Sequence, residues 1–336
     1  MPPPLPASGR ATRRRPSASP PPSDRPPVGR HSPPPSGKRS GQSASESMSH
    51  RIVLATSLSD PDLTVSDRLY AEALQRRGCI VAGAPWDGPA AAFAGADAVV
   101  LRATWGYYRT PEAFRAWTEA IAAATRLFNS IDLVRWNLRK DYVNKLSAAG
   151  IRVPQSHVVP CDVSAIERIF DATGWSRAVV KPATGASGYS VELLQRATLA
   201  SQVAGLGEEA RTAGVVVQEF LPEIAEGELS LVYFDGVFSH AIRKRPPPGE
   251  FRSNSRYGPT RTAEVPPPAV TDQGAACLAV LPELPLYARV DGVVRDGVFI
   301  VIEVEVLEPA LFMEFDPPSA ERFAVATLRR VDDTKR

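Results

Sequence analysis

The chain has 336 residues, which is enough for two or three domains with a sizeable buried core. The whole chain carries a net charge of +2 and its first 48 residues carry +6, so the remaining residues carry −4. A mildly acidic body argues against a nucleic-acid-binding protein, and no stretch approaches the roughly 18 consecutive apolar residues of a membrane span.

The first 48 residues contain 13 of the 33 prolines and no aromatic residue. Such a composition cannot bury enough apolar surface to fold, so we predict a disordered tail over residues 1–48. Met48 comes directly before the first predicted strand, and both a functional tail and an initiation at Met48 remain open. The three cysteines are widely spaced and form no CxxC motif, as expected of reduced cysteines in a cytoplasmic protein.

Short apolar strands alternate with helices over residues 49–130. The predicted elements are strands at 51–56, 80–84 and 98–101 and helices at 65–77 and 111–124. This alternation favours an α/β domain with a parallel sheet, which we predict to be an N-terminal substrate domain. Since no GxGxxG motif is present, a dinucleotide-binding role is unsupported.

Arg102 and Trp105 follow the predicted strand at 98–101. Ligands of open α/β sheets bind beyond the carboxyl ends of the strands. Arg102 is therefore a candidate for holding a substrate carboxylate, with Trp105 forming a wall of the pocket. A capping arginine and a core tryptophan are the equally weighted alternative.

The pattern changes to α+β after residue 130. The predicted helices are 138–149, 163–173, 198–206, 270–281 and 317–330, and the predicted strands are 156–159, 178–181, 215–220, 229–234, 237–243, 287–294 and 299–306. Two hairpins are indicated by the dipeptides Asp235-Gly236 and Asp296-Gly297, because both residue types tolerate the positive φ of tight hairpin turns.

The last of these strands contains two carboxylates, Glu303 and Glu305. Side chains alternate along a strand, so both glutamates share one face, where their charges repel each other. A hard cation such as Mg²⁺ would relieve that repulsion, whereas the alternative is a solvated edge strand. Asp291 joins the same face if the hairpin has a three-residue loop or an equivalent bulge, and we predict Asp291 opposite Val301.

Lys181 ends an apolar strand and is followed by a loop of small residues at 183–188. Small residues let backbone N–H groups approach a phosphate closely, and a neighbouring lysine adds a positive charge for the same phosphate. An ordinary surface turn is the alternative reading of this loop.

In this order the features resemble the ATP-grasp superfamily, specifically its prokaryotic glutathione synthetase-like branch, over roughly residues 130–312. The resemblance is carried by NLRK, VVKPATGASG, QEFLPEIAEGE and the carboxylates described above. The segments LVRWN, FSHAIRKRP and YARVD further resemble the ligases that close the ring of D-cycloserine.

The resemblance implies an ATP-grasp fold, with a lid subdomain at 131–220 and a metal-binding subdomain at 221–332 clasping ATP. It also implies an ADP-forming ligase that joins a carboxylate to an amine-type nitrogen through an acyl phosphate. The ring-closing version of this reaction stays open beside an intermolecular one, and a homo-oligomer stays open beside a monomer. A regulatory nucleotide-binding protein that keeps the fold without turnover is the alternative function.

The same resemblance assigns roles to particular residues. ATP is expected to contact Lys140, Lys181, Gly185, Ser187, Gly188, Glu219, Leu221 and Glu228. Two Mg²⁺ ions, for which Mn²⁺ could substitute, are expected on Asp291, Glu303 and Glu305, and the expected catalytic residues are Arg289 and Arg243. Two positions depart from the family pattern: Glu305 stands where an asparagine is common, and Ser230 stands where glutathione synthetase has a basic residue.

Overall fold

The computed structural model describes residues 49–185 and 188–333. The tail predicted at residues 1–48 and the predicted ATP contact Ser187 lie outside this part of the chain. Within it, no helix combines the length and the apolar character that crossing a membrane requires.

The N-terminal sheet is parallel, with strand order β2-β1-β3-β4. Its elements are β1 (Arg51–Thr56), α1 (Val65–Arg76), β2 (Ile80–Pro85), β3 (Ala98–Leu101), α2 (Pro111–Ala124) and β4 (Arg126–Phe128). Strand β1 is buried on both faces, since Leu54 packs with Tyr70 of α1 while Val53 belongs to the cluster around Phe114 of α2. The predicted α/β alternation is confirmed, and burial on both faces explains why β1 reads as a continuous apolar run.

The helix predicted at 138–149 begins only at Tyr142, and the helix before it was not predicted. The structure has α3 (Ile131–Asn137), capped by the side chain of Ser130, and then α4 (Tyr142–Ala148). In the turn between them, the Lys140 amide donates a hydrogen bond of 2.7 Å to the carbonyl of Ala183. This break places Lys140 beside the loop that follows Lys181, which a continuous helix would not do.

The second sheet is antiparallel, with strand order β5-β8-β6-β7. Its elements are β5 (Ser156–Val159), α5 (Val163–Thr173), β6 (Arg177–Pro182), β7 (Glu192–Gln195), α6 (Leu199–Ala204), α7 (Glu208–Ala213) and β8 (Val215–Glu219). The prediction missed β7 and α7.

The third sheet is also antiparallel, with strand order β11-β10-β9-β12-β13. Its elements are β9 (Glu228–Phe234), β10 (Val237–Arg245), β11 (Thr260–Glu264), α8 (Pro268–Leu278), β12 (Tyr287–Arg295) and β13 (Val298–Glu305), and α9 (Pro318–Asp332) follows it. Asp296 and Gly297 both have positive φ, 52° and 76°, so the predicted tight hairpin turn is confirmed.

The three-residue loop predicted for this hairpin is wrong, because Arg295 pairs with Val298 across a two-residue turn. The alternative, a bulge, is what the structure shows: the register shifts between Asp291 and Gly292. Asp291 therefore pairs with Glu303, and not with Val301 as predicted. Its side chain nevertheless reaches the two glutamates, as the metal-site prediction requires.

Candidate active site

Three carboxylates from neighbouring strands form the chemical centre of the structure. Asp291, Glu303 and Glu305 each offer a carboxylate oxygen, and these oxygens lie within 4.8 Å of one another. Asp291 is only 2% exposed. Three acidic groups this close and this sheltered require positive charge nearby.

That charge comes from three basic side chains. Lys140 contacts Glu303, while Arg289 contacts both Glu305 and Asp291. The ammonium group of Lys244 lies 3.2 Å from Asp291 Oδ2. The hydroxyl of Ser230 adds a neutral hydrogen bond of 2.7 Å to Asp291 Oδ1.

The protonation of the three carboxylates differs with their surroundings. Burial raises the pKa of Glu305 to about 8 despite the opposing effect of Arg289, and the neighbouring acids add to the rise. Although burial also acts on Glu303 and Asp291, Lys140 holds the pKa of Glu303 low and Arg289 holds that of Asp291 low.

This donor set fits Mg²⁺, which prefers carboxylate oxygens and leaves positions for phosphate oxygens. Asp291, Glu303 and Glu305 would hold the metal, which when bound would neutralise negative charge on phosphate oxygens. A bound cation would also favour the ionised form of Glu305, whose pKa is raised by burial and by the neighbouring acids.

A cavity on one side of the cluster contains the predicted ATP contacts. Its lining includes Lys140, Lys181, Gly185, Gly188, Glu219, Leu221 and Glu228, together with Asp291 and Glu303. Burial lowers the pKa of Lys181 to about 8, so its ammonium group is poorly solvated and suited to an anionic ligand. Phe251, Arg252 and Asn254 also line this cavity.

A second cavity of about 260 Å³ lies beside the same cluster and includes Glu305 and Arg289 in its lining. Trp105, the predicted substrate-pocket tryptophan, also lines it. Ser253 and Asn254 border both cavities. The carboxylates are thus positioned where a nucleotide in the first cavity could meet a small molecule in the second.

Arg102 does not have the predicted substrate-binding role. It is 2% exposed, its Nε donates a hydrogen bond of 2.7 Å to Asp67, and another nitrogen donates one of 2.8 Å to the carbonyl of Pro309. The expectation that it holds a substrate carboxylate is wrong, and the structural alternative is correct. Its contact with Pro309 fixes the segment that follows β13.

The prediction of Arg243 as a catalytic residue is also contradicted. Its guanidinium donates to both carboxylate oxygens of Glu264, at 3.0 and 3.1 Å, and it lines neither cavity. Lys244, the next residue on β10, points to the opposite face of the sheet and reaches Asp291. Local pattern cannot show which of these two neighbours faces the carboxylates, because strand pairing sets the register of β10.

Arg289 has the buried position expected of a residue that contacts the reacting groups. It is 5% exposed, and besides its two carboxylate partners it donates a hydrogen bond of 3.1 Å to the carbonyl of Ala310. These contacts make Arg289 part of a buried ion-pair network, and its catalytic role stays a prediction.

Comparison with known proteins identifies the family to which this chain belongs. Residues 52–129 match the N-terminal domain of D-cycloserine synthetase DcsG, and residues 144–310 match the ATP-grasp domain of prokaryotic glutathione synthetase. The cycloserine biosynthesis protein DcsG of Streptomyces lavendulae is 33% identical over 261 residues, which cover 70% of this chain and 83% of that protein. The chain belongs to the DcsG family of ATP-grasp ligases.

Solved structures agree with this assignment. The crystal structure of D-cycloserine synthetase DcsG matches with a TM-score of 0.75 and 28% identity, over 84% of this chain and 100% of that one. The ATP-grasp ligase PsnB, solved with a precursor variant, Mg and ADP, matches with a TM-score of 0.59 over 84% of this chain and 98% of PsnB. At 20% identity, PsnB supports the shared fold alone.

As a DcsG-family ATP-grasp ligase, the chain is an enzyme that uses ATP to join a carboxylate to an amine-type nitrogen. The predicted ATP-grasp fold and the predicted resemblance to the glutathione synthetase-like branch are confirmed. ATP and Mg²⁺ are the ligands typical of this family, and the first cavity and its carboxylates fit them.

Proposed function

We propose that this enzyme closes the ring of D-cycloserine or of a closely related cyclic hydroxamate. The observation that carries the proposal is the carboxylate cluster between two adjacent cavities, one of which is lined by the predicted ATP contacts. The relationship to DcsG over both of its regions supports the same reaction.

The chemistry of the product defines the substrate class. Opening the C–N bond of the D-cycloserine ring gives a D-serine skeleton whose side-chain oxygen carries the nitrogen. That molecule has the carboxylate and the nucleophile in one chain, as a free aminooxy group or as an N-acylated form. Ring closure therefore needs no second organic substrate.

In the proposed reaction, a carboxylate oxygen attacks the γ-phosphorus of ATP and ADP leaves, which gives an acyl phosphate. The nitrogen then attacks the acyl carbon, the C–N bond forms, and phosphate leaves while the nitrogen loses a proton to solvent. Lys140 and Lys181 contribute positive charge toward the phosphates, and Arg289 contributes it where the two cavities meet. Positioning and charge neutralisation supply most of the rate in such phosphoryl transfers, so no dedicated protein base is needed.

Finer features of the site are part of the same proposal. We infer two Mg²⁺ ions on Asp291, Glu303 and Glu305, with Mn²⁺ able to substitute because it accepts the same oxygen ligands. Glu219 and Leu221 are proposed to offer backbone groups to adenine, and Glu228 is proposed to bind the ribose. The free thiols of the three described cysteines support a reducing, cytoplasmic location.

The test is ADP formation with Mg-ATP and β-aminooxy-D-alanine, followed by detection of D-cycloserine by mass spectrometry. N-acylated forms and ordinary amino acids serve as parallel substrates. Cyclic product with ADP in equal amount supports the proposal, whereas ADP formation only with pairs of amino acids would replace it with intermolecular ligation. Binding of Mg-ATP without turnover of any compound would favour a regulatory nucleotide-binding protein.

A further inference from the structure

Glu308 is a buried carboxylate that forms no ion pair within the part of the chain that the structure describes. It is 8% exposed and lies three residues after Glu305, in the segment that Arg102 fixes through Pro309. Its hydrogen bond is to its own backbone amide, and no lysine, arginine or histidine of residues 49–185 and 188–333 forms an ion pair with it. The nearby Lys140 and Arg289 are engaged with the metal-site carboxylates.

Burying a charged carboxylate in this position costs free energy unless a cationic ligand pairs with it. Glu308 lines the second cavity, whose lining also includes Arg256 and Arg261 and the aromatic rings of Trp105 and Phe312. The cavity therefore presents an unpaired acidic group, basic groups and apolar walls within one small volume. That combination matches a small molecule that carries both a positive and a negative charge.

We propose that Glu308 binds the ammonium group of the carboxylate substrate and restricts the enzyme to small zwitterionic amino acids. The inference rests on the proposed function for the identity of the reacting groups and adds the residue that selects the substrate. A charge-assisted hydrogen bond in a sheltered cavity is strong and directional, so it orients the substrate as well as binding it. With its ammonium group bound to Glu308, the substrate can direct its own carboxylate toward the metal site.

The kinetic experiment compares β-aminooxy-D-alanine with 3-aminooxypropanoate, which lacks the α-amino group. We expect the wild type to prefer the amino compound by at least about a hundredfold in kcat/KM, because a site built for a polar group rejects the analogue that lacks it. Glu308→Gln should raise KM for the amino compound by about thirtyfold, change kcat by less than about threefold, and abolish most of this preference. Glu308→Asp should recover part of the preference, and Glu314→Gln, an exposed glutamate nearby, should behave as wild type.

A binding experiment separates this inference from the proposed function. Calorimetry in the presence of Mg-ADP compares D-alanine with propanoate, and we expect D-alanine to bind at least about tenfold more tightly to the wild type but not to Glu308→Gln. If neither aminooxy compound turns over but this Glu308-dependent preference remains, the ring-closing function fails and the ammonium site stands.

Three results would overturn the inference whatever the turnover. The first is a wild type that does not distinguish amino compounds from their deaminated analogues, and the second is a Glu308→Gln variant that still does. The third is a higher Mg²⁺ requirement in Glu308→Gln with an unchanged substrate preference, which would make Glu308 a metal ligand. Should Glu308→Gln fail to fold, Glu308→Asp decides, because retaining the charge must then retain the preference.

Discussion

Asp291 lies directly opposite Glu303 across the β12–β13 hairpin because Ile302 is an extra residue in β13. Without that bulge, the two-residue turn at Asp296-Gly297 would direct the side chain of Asp291 to the other face of the sheet. The metal-site carboxylates therefore depend on a local irregularity of the backbone.

Gly292 makes the bulge possible, so its replacement should damage the metal site. A Cβ atom at Gly292 would lie 2.3 Å from the carbonyl oxygen of Ile300, which is closer than any real contact. We expect Gly292→Ala to lower the free energy of unfolding by about 1 to 3 kcal/mol and to raise the Mg²⁺ concentration needed for half-maximal turnover. Denaturant unfolding and a Mg²⁺ titration of ADP formation measure the two effects.

The matched control is Gly205→Ala, where the added Cβ would meet its nearest atom at 3.4 Å. It should change neither quantity appreciably. An unchanged Mg²⁺ requirement in Gly292→Ala would show that the bulge is not needed for metal binding.

Glu303→Gln should abolish ADP formation while the fold stays intact. Loss of one preorganised charged group typically costs about 3 kcal/mol in the transition state, or roughly a hundredfold in rate, and a lost metal ligand costs more. Lys181→Ala should also abolish ADP formation, because it removes a positive charge that faces the phosphates of ATP. Steady-state ADP formation and circular dichroism check both expectations, with the exposed Glu208→Gln as control. Near-normal turnover in either variant would remove that residue from the mechanism.

Lys181→Met should make the protein more stable at neutral pH although it is inactive. The pKa of Lys181 falls from 10.5 to about 8 on folding, so below pH 8 folding buries an ammonium group that water solvates better. This penalty is on the order of 3 kcal/mol, from about 1.4 kcal/mol for each pH unit. The wild type recovers the lost stability as the pH rises from 8 to 10.5, where the unfolded chain binds more protons than the folded one.

The variant should therefore unfold at higher denaturant concentration than the wild type at pH 7, and this advantage should shrink between pH 8 and pH 10. Urea titrations at pH 7, 8.5 and 10 measure the difference. A variant that is less stable than the wild type at pH 7 would show that Lys181 stabilises the ligand-free fold.

Arg102→Lys should lower stability without changing how substrate is recognised. Lysine cannot keep both the contact with Asp67 and the contact with the Pro309 carbonyl, and breaking a buried ion pair costs about 3 to 5 kcal/mol. Thermal unfolding should show a marked loss, while KM for the carboxylate substrate should change less than about threefold. The exposed Arg109→Lys is the control. A KM increase much larger than this, with normal stability, would restore Arg102 as a substrate-binding residue.

Local pattern determined the elements that surround the site. The apolar run of β1, the Asp-Gly turns and the shared face of Glu303 and Glu305 each follow from periodicity or turn chemistry within a few residues. The acidic pair in an apolar strand left a metal site and a solvated edge strand as alternatives, and the order of motifs indicated the family.

Long-range pairing decided the rest. Asn137 accepts a hydrogen bond from the amide of Val306 and donates one to the carbonyl of Val304. These bonds hold the end of β13 against α3, although the residues are more than 160 positions apart in the sequence. Long-range contacts also pair Arg102 with Asp67. In the same way Lys244, and not Arg243, contacts the carboxylate of Asp291. The sequence shows which residues are charged. Which partner a buried charge finds depends on strand register and on which groups are buried next to each other. Both are set only in the folded chain.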